Sequence, residues 1–275
     1  MSIDLSQVRD VLVNAVLEVG RTIRDASSAG VNRNVRQKSS SADLVTQTDI
    51  EVNRKLIEIL SDKYPESNII SEENDIQIGS CSSQLDEVGT FYVDPIDGSM
   101  NFVHGFPEIA ISIGYVENDT PVVGVVANPL TDTVFHAVRG DGSFKNDGKI
   151  SVSRTERLIH GLISSGWPYD KARLKAVSEE LENVCRVARE IRMIGSAALS
   201  VCYVAEGVFD GYWEQGLFPW DLVGASVIAE EAGATISRHD GSQYSIDSHE
   251  ILVTNGKIHG ELLDVVKRKI LLEEV

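Results

Sequence analysis

Residues 91–138 of this 275-residue chain set the tightest constraint on what it can fold into. The run Phe91-Tyr92-Val93 ends in Asp94-Pro95-Ile96-Asp97-Gly98-Ser99, and three further apolar runs follow: AISIGYVEN, VVGVVANPL and TVFHAVRG. Asn118-Asp119, Asn128-Pro129 and Gly140-Asp141-Gly142 mark the turns between and after them. Strands this closely spaced in sequence favour an antiparallel sheet. The entry to that sheet raises a physical difficulty. Two carboxylates three residues apart, held by a rigid proline, repel each other unless something positive sits between them.

The rest of the chain reads as alternating helices and strands. Val8, Val11, Leu12, Ala15, Val19 and Ile23 fall at helical spacing, so the N-terminus is expected to be an amphipathic helix. It lacks the basic and apolar blocks of a signal peptide, and no run is long enough to cross a bilayer. The expectation is a cytoplasmic protein without a membrane partner. Residues 27–43 are polar and read as an exposed loop. Thr48 followed by Glu51 has the capping-box form, opening a helix through Val52, Leu56, Ile59 and Leu60 that ends before Tyr64-Pro65. Asn68–Ser71 reads as a short strand delivering Glu72-Glu73, and residues 74–89 as loop.

Beyond residue 150 the pattern changes. A strand at GLISSG, a helix around 171–189, a helix opened by Gly195-Ser196-Ala197-Ala198, a strand near VFDGYWE and a helix after Trp220-Asp221 are expected. The strand ILVTN and a terminal helix complete the reading. The division falls between an N-terminal half, residues 1–147, and a C-terminal α/β half, residues 148–275. At 42% hydrophobic residues the chain has enough apolar material for a full core. Cys81, Cys185 and Cys202 have no metal or redox spacing and read as reduced thiols. A formal charge of -17 argues against nucleic-acid binding, which needs basic surface against phosphates.

Glu72, Asp94, Asp97 and Asp221 all stand at the ends of apolar runs. Each alone could be a helix cap or a surface charge. Asp94 to Ser99 is harder to reduce to that. Pro95 holds both carboxylates, Gly98 permits close backbone approach, and Ser99 can begin a helix whose free N–H groups suit a phosphate. Clustered carboxylates with oxygen-only ligands beside a phosphate cradle point to Mg2+ rather than zinc. The residues indicate metal-assisted phosphoryl chemistry.

The sequence resembles the inositol monophosphatase family. Phe91–Phe102 resembles its first signature, with phenylalanine at the aromatic position; Trp220–Ala225 with Glu231-Ala232-Gly233 resembles its second. Glu72-Glu73 and the segment Asp43–Asp49 resemble two further motifs, in matching order. The resemblance implies an α/β fold layered αβαβα, like that of fructose-1,6-bisphosphatase, and an Mg2+-dependent, lithium-sensitive phosphatase forming a homodimer. It assigns Glu72, Asp94 and the Ile96 carbonyl to a first Mg2+, and Asp94, Asp97 and Asp221 to a second, with a weaker third ion near Glu72. Glu72, Asp49 and Ser99 would be catalytic, the Ser99 hydroxyl paired with Asp49 to orient the attacking water. Gly98, Ser99 and Met100 would hold the phosphate through backbone N–H groups, and Ala197 and Glu214 would meet the polyol. Lys38, in the polar loop, is a candidate to approach the metals, with a solvated lysine the equal alternative; Trp167–Asp170 could form part of the wall. The implied substrate is an inositol monophosphate. The rivals are another sugar phosphate such as fructose 1,6-bisphosphate, a 3′-phosphonucleotide, or a catalytically silent binding protein on the same scaffold.

Overall fold

A computed structural model describes residues 3–29, 36–37, 44–78, 89–168 and 170–267. Lys38, Asp43, Cys81 and Tyr169 lie outside the described residues. Helix α1 (Leu5–Ser28) is capped by Asp4, whose carboxylate accepts the amides of Ser6 and Gln7. A small strand pair, β1 (Arg36–Gln37) and β2 (Leu44–Val45), precedes α2 (Gln47–Lys63). Strands β3 (Asn68–Ser71), β4 (Asn74–Ile78) and β5 (Thr90–Asp97) lead to the short helix α3 (Ser99–His104). Then come β6 (Ala110–Glu117), β7 (Thr120–Asn128), β8 (Thr133–Val138), β9 (Gly142–Lys145) and β10 (Gly148–Lys149).

The second part holds β11 (Leu162–Ser165), α4 (Leu174–Cys185), β12 (Glu190–Arg192), α5 (Ala197–Ala205), β13 (Gly211–Gln215) and α6 (Pro219–Glu231). It finishes with β14 (Thr235–Ser237), β15 (Glu250–Thr254) and α7 (His259–Val266). Eight strands form one sheet in the order β10-β9-β8-β7-β6-β5-β3-β4, and five form another in the order β12-β11-β13-β15-β14. The larger is antiparallel except for β3 beside β5. At the β6–β7 turn Asn118 and Asp119 both take positive φ, 48° and 57°, the backbone a tight hairpin needs. No helix among the described residues is long and apolar enough to cross a membrane.

Side-chain alternation sorts these elements into five layers. Ile111, Ile113, Tyr115, Val123 and Val125 pack with Leu12 and Val19 of α1 and Leu56 and Leu60 of α2. On the opposite face Ala110, Val126 and Phe135 meet α5 and α6, which also pack against Tyr212, Ile251 and Val253 of the smaller sheet. The far side of that sheet, Ile163, Trp213 and Leu252, is covered by Val184 of α4 and by Leu262 and Val266 of α7. The order is αβαβα, the layered α/β sandwich expected.

Three sequence expectations are corrected. The cap of α2 is Thr46 with Asp49, because Asp49 is fully buried and turns its carboxylate back onto Thr46; Thr48 and Glu51 lie within the helix. Residues 74–78, read as loop, form an edge strand hydrogen-bonded to β3. The helix expected around 171–189 runs only from Leu174 to Cys185, and beyond it Glu190–Arg192, where no element was expected, pairs in parallel with Leu162–Ser164.

Helix α6 reaches the larger sheet through glycines. Gly114 and Gly124 lie opposite one another on β6 and β7. A Cβ on Gly124 would stand 2.0 Å from the Gly224 carbonyl oxygen, and one on Gly114 2.7 Å from the Gly224 amide. At Gly124 backbone therefore lies on backbone, while over Gly114 the Val223 Cγ1 comes nearest, at 2.3 Å, in the space the missing side chain leaves. Gly124→Ala is expected to lower stability by roughly 1–3 kcal/mol or more through overpacking. Gly260→Ala, at a helical site with no neighbour within 4 Å, should instead be neutral or stabilising by up to about 1 kcal/mol. Urea unfolding of the two variants checks the contrast.

Candidate active site

The site is built around the end of β5. Ser71 pairs with Val93 in parallel register, and the Glu72 amide donates to the Val93 carbonyl at 3.2 Å, bringing Glu72 level with Asp94. Across the sheet Asp94 pairs with Ser112 but Asp97 with Ala110, so β5 gains one residue at Pro95-Ile96. Such a bulge re-aims the side chains that follow it. The Asp94 Oδ1 accepts the Ile96 amide at 3.0 Å, fixing the first carboxylate. Gly98 then turns the chain with φ 88°; a Cβ there would also meet the Glu108 and Gly195 carbonyls at 3.0 and 3.1 Å.

The remaining groups arrive from other layers. The Asp97 carboxylate accepts the Ser196 hydroxyl at 2.5 Å and the amides of Ala198 and Ala197 at 2.8 and 3.3 Å, which seats it at the start of α5. Asp221, in the first turn of α6, accepts the Phe218 amide at 2.7 Å. Asp49, from α2, accepts the Ser99 hydroxyl at 3.0 Å. The Ser99 hydroxyl also lies 3.0 Å from the Ile96 carbonyl, so one proton has two acceptors. Glu214, on β13, accepts the Tyr212 hydroxyl and lies against Gly166, where a Cβ would fall 1.8 Å from its carboxylate. Met100 occupies the first turn of α3, and Ala197 is buried with its amide on Asp97.

Electrostatics bind these residues into one group. Burial, then the charges of Glu72, Asp97 and Asp221, push Asp94 well above the usual carboxylate range. Burial does the same to Asp221; the Phe218 amide opposes it, and Asp97, Glu72 and Glu214 reinforce it. Burial raises Asp97 to about 6 despite the donors on α5. Asp49 is raised by burial and lowered by Thr46 and Ser99, with a net upward shift. Each of the charges acting on Asp94 is another carboxylate, so full ionisation calls for a cation.

The donors suit a hard cation: carboxylates and the Ile96 carbonyl, all oxygen. Among the described residues no three Asp, Glu, His or Cys side chains converge on one coordination point. Asp94, Asp97 and Asp221 each have carboxylate oxygens on backbone or hydroxyl donors. The fit to Mg2+ therefore rests on donor chemistry and shared charge.

Several supporting residues were not singled out by sequence reasoning. Ser196 caps α5 through the Leu199 amide and at the same time holds Asp97. Its only sequence signal is a serine before a helical run. Asn101 donates its side-chain amide to the carbonyls of Glu108 and Ile194, both at 2.7 Å, tying α3 to the segment that leads into α5. Tyr212 and Gly166, which hold and make room for Glu214, show themselves only in three dimensions.

Comparison with known proteins agrees with this architecture. The model of the inositol monophosphatase family matches residues 4–271. An inositol-1-monophosphatase of Synechocystis is 36% identical over 262 residues, covering 94% of this chain and 88% of that one. The crystal structure of the extragenic suppressor protein suhB from Bartonella henselae superposes with a TM-score of 0.90 at 33% identity, covering 96% of this chain and all of that one. An inositol monophosphatase from Anabaena gives 0.85 at 30% identity, with 96% of both chains covered. By class, then, the protein is a phosphoric monoester hydrolase. The chain belongs to the inositol monophosphatase family, which is generally Mg2+-dependent.

Glu214 yields a measurable consequence. Burial raises it from 4.5 to about 7, against the Tyr212 hydroxyl, so below that pH the folded protein holds a proton the unfolded chain gives up. That contribution is complete below pH 4.5 and is lost as pH rises through about 7. Relative to the wild type, Glu214→Gln should gain on the order of 3 kcal/mol of stability between pH 4.5 and 8. Denaturant melts in metal-free buffer across that range test this; a gap between the two proteins that does not move with pH would contradict it.

Proposed function

We propose that the protein hydrolyses inositol monophosphates or closely similar polyol phosphates with Mg2+. The observation that carries this reading is the set of buried carboxylates around Asp94, placed beside the Gly98–Ser99 turn with Glu214 near enough to feel Asp97. Family membership and the activity in the name of the Synechocystis relative support the substrate class.

Glu72, Asp94 and the Ile96 carbonyl would hold one Mg2+; Asp94, Asp97 and Asp221 would hold a second, with a weaker third near Glu72. When bound, the ions supply the positive charge that acidifies water and offsets charge on the phosphoryl group. The protein's own groups do the positioning. Since the Ser99 proton is directed to Asp49 or to the Ile96 carbonyl, the hydroxyl's lone pairs remain to accept from an attacking water. Asp49, raised by burial, is suited to take up proton density from Ser99. The amides of Gly98, Ser99 and Met100 would receive the phosphate oxygens. Glu214 would accept hydrogen bonds from ring hydroxyls beside Ala197. The protein would work as a homodimer, an assignment supported by family likeness.

Asp94→Asn should lower Mg2+-dependent phosphatase activity by more than about 100-fold, the loss of roughly 3 kcal/mol of charge stabilisation, while circular dichroism shows a folded protein. Turnover should be greatest on inositol 1-phosphate in a panel that includes fructose 1,6-bisphosphate and a 3′-phosphonucleotide. Faster turnover of the bisphosphate would overturn the substrate assignment, and retained activity in the variant would overturn the site.

A further inference from the structure

Strand β13 shows two faces. Tyr212 packs with α5 and α6, and Glu214 on the same face takes the Tyr212 hydroxyl. Trp213 packs beneath α4 and α7, and Gln215 shares that face. Behind the strand, Glu180 of α4 receives both: the Trp213 indole N–H at 3.1 Å on Oε2 and the Gln215 side-chain amide at 3.1 Å on Oε1. The His239 Nδ1 lies 3.8 Å from the same Oε1, and the side chains of Glu180 and His239 are only 16% and 10% exposed. Burial disfavours charge on His239, but Glu180 and Glu250 outweigh it and raise His239 above its usual value.

This arrangement sits where the sheet holds β13 least. Strand β11 pairs with β13 only as far as Ser165 opposite Trp213, whereas β15 continues along Glu214 and Gln215. At Glu214 the strand therefore has a registered neighbour on one side alone. Its carboxylate is also pressed against Gly166, so a small tilt of the strand would change where it points. The residues on either side of Glu214 are the two that Glu180 grips.

We infer that Glu180 is a positioning residue for substrate selection, holding β13 from behind so that Glu214 meets the polyol. The inference rests on the reading of Glu214 as the hydroxyl-binding group. A carboxylate suits the task because it only accepts: the Trp213 indole and the Gln215 amide both donate to it, and His239, whose Nε2 faces the Ile251 carbonyl, donates from Nδ1 when protonated. A leucine would leave the indole N–H buried without a partner. A glutamine could still accept from Trp213, and could donate to Gln215 if that amide flips, but would turn its N–H2 towards His239.

The test compares KM and kcat on inositol 1-phosphate with those on 4-nitrophenyl phosphate, which has no ring hydroxyls, using the full-length Mg2+-loaded protein. Glu180→Leu should raise KM for inositol 1-phosphate roughly 10-fold with kcat little changed, because misplacement weakens binding of the polyol. Both constants for 4-nitrophenyl phosphate should hold, and Glu180→Gln should recover most of the KM, to within roughly 3-fold of wild type. Should the leucine variant fail to fold, Gln215→Ala, which removes one of the two donors that Glu180 holds, takes its place: a KM rise confined to inositol 1-phosphate supports the inference. Equal losses on both substrates, or no change on either, overturn it. Glu214→Gln is measured alongside. If it raises KM for inositol 1-phosphate while the Glu180 variants do not, the inference alone is wrong. If Glu214→Gln has no effect, the reading of Glu214 fails and the inference goes with it.

Discussion

The contact on which the rest of the molecule depends is that of Gly224 on Gly114 and Gly124. It sets α6 backbone to backbone against the larger sheet at Gly124 and leaves room for the Val223 side chain at Gly114, closer than a side chain on either strand would allow. Because Asp221 lies one turn before Gly224, that distance also decides whether its carboxylate falls within electrostatic reach of Asp94 and Asp97. A helix standing off the sheet on ordinary side chains would carry Asp221 away from β5. The middle layer is thus at once the core of the sandwich and the means by which two distant parts of the sequence share one site.

At that site the protein accepts an electrostatic cost. Asp94 and Asp221 are buried among other carboxylates and shift far from their ordinary range. In an isolated scaffold this would be destabilising, since buried charges without partners are expensive. The surrounding donors, Ser196 and the amides at the start of α5 for Asp97 and the Phe218 amide for Asp221, offset part of the cost and fix the oxygens. A site arranged this way gains most from a bound cation, which is the requirement of phosphoryl chemistry: positive charge placed beforehand, with little reorganisation during the reaction.

The behaviour of individual elements follows from how local their causes are. Strands β6, β7 and β8 were legible because apolar runs and turn residues sit within a few positions of each other, and the Asn118-Asp119 turn has the positive φ angles such a hairpin needs. Strand β4 was not, since Asp75-Ile76-Gln77-Ile78 alternates over four residues only, too short a run to stand out from a loop before β3 pairs with it. Strand β12 went unread because it is three residues long and its partner, β11, lies far away in sequence. Thr46 was missed as a cap because Thr48 and Glu51 offered the same pattern two residues later; the burial of Asp49 chose between them.

By itself the sequence determined the chemistry available: an Asp-Pro-Ile-Asp-Gly-Ser turn, a Glu-Glu pair, a Trp-Asp helix start and a chain with enough apolar residues to bury them. It also determined the alternation that sorts β13 into two faces. Tertiary structure alone decided that Asp49 meets Ser99, that Ser196 holds Asp97, and that Glu180 stands behind Glu214. Those partners lie 50, 99 and 34 residues apart. No local pattern encodes such pairings, because each depends on where the layers bring two surfaces together and on the few ångströms that a glycine leaves open between them.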